Sequence, residues 1–149
     1  MLWGAGMPIF DSIAHAMTTL ATGGYSTKAE SWAAFNSSTI EIIIIFGMLV
    51  GSLPFVHYLT LTRNGIKNLI RDDQVKLFLT LVLFMVLIMS LYLSFNNLPF
   101  IDAFRLASFN VISIITGTGF GTSDFNNWGG FPTTILLILM FVGGCAGST

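Results

Sequence analysis

The sequence predicts an all-α membrane protein built from two similar units, each with a short helix, a glycine-rich loop and a longer helix. Of its 149 residues, 54% are hydrophobic and only 9% are charged, whereas soluble domains average about 25% charged residues. Uncharged runs of the length that crosses a bilayer recur along the chain. Two glycine clusters separate these runs, and Gly24 and Gly119 lie 95 positions apart (119 minus 24). Composition, run length and internal repetition thus indicate the same fold class.

Composition also excludes several functions. The net charge is −1 and no large basic cluster occurs, so nucleic acid is not an expected partner. Cys145 is the one cysteine, so the chain cannot form an internal disulfide. Cys145, His15 and His57 lack the spacing of metal ligands. No G-x-G-x-x-G motif, phosphate loop or Ser/His/Asp constellation appears. We therefore expect no enzyme activity and no covalently bound cofactor.

The first unit is predicted to occupy residues 1–62. The sequence Pro-Ile-Phe-Asp at residues 8–11 favours a helix start, because proline suits the first turn and an acid suits the positive helix end. A helix that ends near Ala21 is ~21 Å long, too short for a ~30 Å hydrocarbon core. Residues 39–62 are then a predicted crossing helix, with Gly47 and Gly51 available for close helix packing. Pro54 is expected to kink or end its regular part.

A polar segment follows at residues 63–76. It holds four of the six cationic residues, which are Arg63, Lys67, Arg71 and Lys76. Short loops rich in lysine and arginine stay on the cytoplasmic side of a membrane. The sequence therefore predicts that this loop is cytoplasmic and that both glycine loops lie on the outer side.

The second unit is predicted to occupy residues 77–149. Residues 77–95 carry no charge and form the predicted returning helix, which Asn96 and Asn97 end. Pro-Phe-Ile-Asp at residues 99–102 repeats the earlier helix start, and this second short helix is expected to end near Ile115, about one turn longer than the first. A third crossing is predicted at residues 131–149, with small residues such as Gly143 in its later part.

The glycine loops carry the predicted function. The first contains Thr22, Gly23 and Gly24 followed by Tyr25, and the second contains Gly117, Thr118 and Gly119 followed by Phe120. Irregular backbone at membrane depth is tolerated only where it is buried or lines a watery path. Backbone carbonyls in such segments can replace the water around a potassium ion, and glycine permits the positive φ values that turn them to one axis. We predict that both loops are potassium-filter segments.

Two alternatives stay open on this evidence. The glycines can serve only the close packing of helices in another kind of transporter. Alternatively, the same loops can form a sodium-permeable pathway, because glycine-rich filter segments do not by themselves fix the ratio of potassium to sodium permeation. Conduction through a channel and coupled symport are equally compatible with these residues.

Residues 8–26 (PIFDSIAHAMTTLATGGYS), 47–55 (GMLVGSLPF) and 102–127 (DAFRLASFNVISIITGTGFGTSDFNN) resemble the Trk/Ktr/HKT superfamily, most closely its TrkH/TrkG-type potassium uptake subunits. The resemblance covers essentially the whole chain. It implies a fold of helix–pore-loop–helix repeats similar to potassium-channel subunits, of which this chain holds parts of the first two. The family's filter glycine matches Gly24 and Gly119. Its ion-facing carbonyls match Thr22, Gly23, Gly117 and Thr118.

The resemblance further implies a multi-pass protein of the bacterial inner membrane that takes up potassium as its substrate. It implies a homodimer of the full-length subunit, surrounded by lipid, with a TrkA-like cytosolic regulatory subunit that binds a nucleotide. The third and fourth filter segments would lie outside this sequence. We therefore expect the chain to be part of a longer protein and not to transport ions alone.

Overall fold

A computed structural model describes residues 1–27, 37–56, 58–59, 71–121, 128–145 and 148, and all structural statements concern these residues. Their regular structure is helical throughout, with no strand among them, which confirms the predicted fold class. After a short 3-10 turn at Trp3–Ala5, the helices are α1 (Ile9–Leu20), α2 (Ser38–Gly51), α3 (Asp73–Phe95), α4 (Phe100–Ile115) and α5 (Gly130–Leu139).

The two short helices lie where the repeated Pro-x-x-Asp sequence predicts them. Pro8 and Pro99 are the residues that directly precede α1 and α4, and Asp11 and Asp102 lie in the first turns. The lengths are 12 and 16 residues. The prediction that the second short helix is one turn longer is therefore confirmed.

Helix α3 is the one described helix long and apolar enough to cross a membrane by length and composition, with 23 residues. It begins four residues before the predicted Leu77, because the Asp72 side chain accepts hydrogen bonds from the backbone N–H groups of Gln74 and Val75 and so caps the helix. The predicted start is the first residue of the uncharged run, and that criterion excludes the polar residues of the first helical turn. At the other end, Asn97 has φ +72, a left-handed value that asparagine tolerates. The predicted helix end is confirmed.

Helices α2 and α5 cover only the first part of the predicted crossings at residues 39–62 and 131–149, of which the structure describes residues 39–56, 58–59, 131–145 and 148. Helix α2 ends at Gly51, before Pro54, and α5 ends at Leu139. Gly143 lies beyond α5 with φ +70, so it is not a helical glycine. Hydropathy alone does not locate these ends, because the apolar composition continues past them. Most of the basic loop, residues 63–70, lies outside the described residues, and so does the segment around residues 122–127.

Helix α4 lies at the centre of the described fold and packs against α2, α3 and α5, while α1 packs against α2. Nine of its 16 residues are buried. Arg105 on α4 links the two units, since its Nε lies 3.3 Å from a carboxylate oxygen of Glu41 and its Nη1 donates to the Ser38 hydroxyl at 2.9 Å. These contacts of Arg105 join α2 to α4.

Helix α1 has the reverse polarity of a helix on a soluble protein. The side chains that it buries are all polar or charged: Asp11, Ser12, His15 and Thr19. Its apolar residues are exposed, including Ile13 at 58% and Met17 at 69%. Three of the buried positions follow a four-residue spacing, which keeps them on one helix face. The polar face of α1 therefore points into the protein, and its apolar face needs lipid or further protein around it.

Candidate ion-filter segments

The first glycine loop (residues 22–26) and the second glycine loop (residues 117–121) leave their helices through the same hydrogen bonds. Ala21 N–H donates to the Met17 carbonyl at 3.0 Å, and Thr116 N–H donates to the Ile112 carbonyl at 3.0 Å. One residue later, Thr22 N–H donates to the Thr19 carbonyl at 3.2 Å and Gly117 N–H to the Ile114 carbonyl at 3.0 Å. Donors and acceptors in both pairs keep the 95-residue offset. The two helix ends are thus equivalent in three dimensions.

The loops also share an alternating backbone conformation. In the first loop φ is +46 at Thr22 and +70 at Gly24, and in the second it is +75 at Gly117 and +82 at Gly119. The residues between them, Gly23 and Thr118, are not in the left-handed region. Left-handed backbone strongly favours glycine, so three of these four positions have the expected residue. Thr22 is the exception, since positive φ is rare for a β-branched residue.

Gly24 lies directly against the second loop. A Cβ atom built on Gly24 would be 1.9 Å from the carbonyl oxygen of Thr118. Among the described residues, no such contact occurs at Gly117 or Gly119, where an added Cβ would meet no described atom within 4 Å. The two loops are therefore neighbours, and Gly24 is the position where a side chain would collide with the backbone of the other loop.

Hydroxyl groups at equivalent positions of α1 and α4 form hydrogen bonds with the backbone of each loop. Thr18 accepts a hydrogen bond from Tyr25 N–H at its side-chain oxygen (2.9 Å), and its carbonyl accepts from Gly23 N–H (2.8 Å). Ser113 donates its hydroxyl to the Phe120 carbonyl at 2.7 Å, and its own carbonyl accepts from Gly119 N–H at 3.0 Å. Thr18 and Ser113 are also 95 positions apart. Thr18 thus anchors the residue that follows Gly24, and Ser113 anchors the residue that follows Gly119.

The surroundings of the two loops differ. Tyr25 is 82% exposed, whereas its counterpart Phe120 is 1% exposed. In the second loop the Thr118 hydroxyl is also buried and lies 2.8 Å from the Thr116 hydroxyl. The second loop thus buries Thr118 and Phe120 while Gly117 and Gly119 are exposed, whereas none of residues 22–26 in the first loop is buried.

Glycines on α2 have a separate role. An added Cβ would lie 2.8 Å from the Thr19 methyl carbon at Gly47, and 2.6 Å from the Leu20 carbonyl oxygen at Gly51. These two glycines let α2 approach the end of α1, as the small-residue spacing predicted. Beyond α2, the Ser52 carbonyl accepts from Cys145 N–H at 3.1 Å, which joins the ends of the two units.

The fold places the loop with Thr22, Gly23 and Gly24 next to the loop with Gly117, Thr118 and Gly119, and the two loops meet at Gly24 and Thr118. Tyr25 and Phe120 follow the last glycine of each loop. Sequence reasoning missed Thr18 and Ser113, although two hydroxyl residues at the repeat offset were a usable signal. It also assigned no role to His15, which is fully buried behind the first loop. Within the described residues, no group of three histidine, cysteine or acidic side chains could hold a metal ion.

Comparison with known proteins gives one consistent family. The family model TrkH, described as a cation transport protein, matches residues 2–149. The Trk system potassium uptake protein TrkH of Salmonella typhimurium is 38% identical over 151 residues, covering 99% of this chain and 31% of that protein. The protein TrkI of Halomonas elongata is 36% identical, covering 97% of this chain and 30% of the relative.

A solved structure agrees. The crystal structure of the potassium transporter TrkH from Vibrio parahaemolyticus superposes with a TM-score of 0.92 at 34% identity, covering 98% of this chain and 32% of that one. The chain therefore spans about a third of the length of the relatives that it matches. With a family model over nearly all its residues and a matching fold, the chain belongs to the TrkH family of cation transport proteins.

Proposed function

We propose that this chain supplies two adjacent segments of a potassium-selective filter in a transporter that takes up potassium. The observation that carries the proposal is that two neighbouring loops share one backbone pattern, in which two left-handed residues flank a residue that is not left-handed. The loops pack together at Gly24 and Thr118. In a regular extended strand successive residues alternate in direction. A strand that alternates in handedness can instead direct successive carbonyl groups to one side, as a filter requires.

The chemistry suits a monovalent cation. Carbonyl oxygens of Thr22, Gly23, Gly117 and Thr118 would replace the water of a potassium ion without a fixed negative charge, so that the ion can also leave. Both α1 and α4 end at their loops, and the partial negative charge of a helix C-terminus favours a cation there. Potassium is then the transported substrate, with no resident cofactor or catalytic group.

The packing-only alternative is less favoured by these contacts. At Gly117 and Gly119 an added Cβ would meet no atom of the described residues within 4 Å, so packing against the described helices does not explain these glycines. Gly47 and Gly51, by contrast, do lie against another helix. In the loops glycine thus allows left-handed backbone, whereas on α2 it allows close packing against α1. A sodium-permeable pathway on the same scaffold remains the rival function, and an ion-ratio measurement separates the two.

The transporter is proposed to need more than this chain. A filter surrounds an ion from several sides, and the chain offers two segments while it spans about a third of its relatives. In bacteria that lack their own potassium uptake, the full-length transporter that contains this chain should restore growth at low potassium and take up rubidium in preference to sodium. Residues 1–149 expressed alone should not. Equal sodium and rubidium uptake would favour the rival function, and rescue by residues 1–149 would contradict the need for further segments.

We also propose a multi-pass arrangement in the bacterial inner membrane, with the basic residues inside. Asp73 and Asn96 are exposed at opposite ends of α3. In a variant with Cys145→Ala, an impermeant thiol reagent applied to intact cells should label Asn96→Cys and spare Asp73→Cys. The reverse pattern would invert the topology.

The homodimer and the TrkA-like nucleotide-binding regulatory subunit are proposals drawn from family membership. Copurification of the full-length protein with a tagged second copy, and with that regulator, tests them separately.

A further inference from the structure

His15 lies on the buried polar face of α1, behind the first glycine loop. Its side chain is 0% exposed. Ring atom Nδ1 is 2.8 Å from the Asp11 carbonyl oxygen, one turn back on the same helix, and Nε2 is 3.1 Å from the Ser26 hydroxyl. Ser26 is the second residue after Gly24. The imidazole therefore connects the body of α1 to the outer end of the first loop.

The acceptors assign the proton on the ring. A carbonyl oxygen can only accept, so Nδ1 carries the hydrogen that is donated to Asp11. In the tautomer with its hydrogen on Nδ1, Nε2 accepts a hydrogen bond from the Ser26 hydroxyl. Both partners are therefore satisfied by one tautomer. This fixes the ring orientation relative to the loop.

The same ring also faces the second loop. The centroids of His15 and Phe120 are 6.4 Å apart with an interplanar angle of 43°. This tilted geometry lies within the range of aromatic pairs. Phe120 directly follows Gly119, and its carbonyl accepts the Ser113 hydrogen bond. His15 thus contacts Ser26, two residues after Gly24 in the first loop, and Phe120, directly after Gly119 in the second.

We propose that His15 is a positioning residue that sets the spacing of the two filter segments through Ser26 and Phe120, and thereby the preference for potassium over sodium. The inference rests on the proposed filter function. His15 does not touch the ion path itself. It acts through the two loops, whose carbonyl positions decide how well they replace the water of an ion.

The second unit provides an internal comparison. Asn110 occupies the position 95 residues after His15, is also fully buried, and donates from its amide to the Leu106 carbonyl at 2.8 Å, again one turn back. An asparagine can therefore replace the Nδ1 interaction of His15, but it is too short to reach Ser26. A glutamine is longer and can place an oxygen near the position of Nε2. His15→Asn therefore keeps the hydrogen bond to the helix and loses the contact with Ser26, whereas His15→Gln can keep the contact with Ser26.

The test is the rubidium-to-sodium uptake ratio of the full-length transporter at matched membrane abundance. Loss of one ordinary hydrogen bond corresponds to about three- to tenfold, so His15→Asn and Ser26→Ala should each lower the ratio by a factor of that size. His15→Gln should restore most of it. The double variant His15→Asn/Ser26→Ala should be no worse than His15→Asn, because both changes remove the same link. Ser90→Ala, at a buried hydroxyl on α3 that donates to the Leu87 carbonyl, is the control and should keep the wild-type ratio.

A wild-type ratio in His15→Asn, additive losses in the double variant, or no recovery in His15→Gln would each overturn the positioning role. If His15→Asn does not accumulate in the membrane, Ser26→Ala decides, since that change leaves the helix intact and a wild-type ratio there contradicts the inference. The wild-type protein reports on the proposed function separately. Without any preference for rubidium in the wild type, the filter proposal fails before the variants are compared.

Discussion

The two glycine loops reach the same backbone conformation with different residues. In the first loop a threonine has the first left-handed position and glycine the middle one, whereas the second loop has glycine first and threonine in the middle. The threonine at position 118 has ordinary φ and a buried hydroxyl partner in Thr116. Thr22 instead adopts a φ that a β-branched side chain disfavours. The comparison shows that the repeat preserves backbone handedness more closely than residue identity.

The loops also differ in what surrounds them. Phe120 is buried and its carbonyl is tied to Ser113, whereas Tyr25 is exposed and its N–H is tied to Thr18. Gly24 is closed in by the Thr118 carbonyl, whereas Gly119 has free space around it. Equivalent substitutions in the two loops should therefore have unequal effects, and that inequality can be measured.

The largest expected effect is at Gly24. In Gly24→Ala the new Cβ would lie 1.9 Å from the Thr118 carbonyl oxygen, so one backbone must move, and rubidium uptake should fall to background at matched abundance. Gly119→Ala adds only the strain of left-handed backbone, roughly 1–2 kcal/mol, and should lower the rubidium-to-sodium ratio about tenfold. The control is Gly130→Ala, where the backbone is helical and an added Cβ meets no atom within 4 Å. Equal loss in the two loop variants would contradict the contact between Gly24 and Thr118.

An intermediate effect is expected at the hydroxyl anchors. Ser113→Ala leaves the carbonyl of the buried Phe120 without this partner, a loss of about 1–3 kcal/mol in the free energy of unfolding. Thr18→Val removes a bond to the N–H of the exposed Tyr25, where water can substitute, so the cost should stay below about 1 kcal/mol. Thermal unfolding of the purified transporter in detergent measures both. A larger loss in Thr18→Val would show that the first loop is the more enclosed one in the assembled protein.

The smallest effect is expected for Thr22→Gly, at the position where the first loop has threonine and the second loop has glycine. Thr22→Gly relieves left-handed strain but adds backbone freedom to the unfolded chain, so the two contributions of about 1 kcal/mol nearly cancel. Gly117→Thr imposes the left-handed strain, and its Cβ would meet no described atom within 4 Å, so it should cost at least about 1–2 kcal/mol. The same unfolding measurement compares them. A strong destabilisation in Thr22→Gly would mean that the threonine side chain, and not only its backbone, holds the first loop.

The sequence by itself determined the features that depend on neighbouring residues. Low charge and long apolar runs indicated a membrane protein, Pro-x-x-Asp located the starts of α1 and α4, and the glycine clusters located Gly24, Gly117 and Gly119 at positions where left-handed backbone occurs. These are local requirements, because a helix start or a positive φ is decided within a few residues.

Only the tertiary structure decided how the parts work together. It showed that Gly47 allows α2 to pack closely against α1, while Gly119 allows left-handed backbone. It also showed that His15 contacts both Ser26 and Phe120. It also placed Gly24 against Thr118, a residue 94 positions later in the chain (118 minus 24). Such contacts have no local signature, since they depend on how α1 and α4 are placed by the helices between and around them. The atoms that would meet an ion are therefore specified by the packing of both units, which neither loop contains in its own sequence.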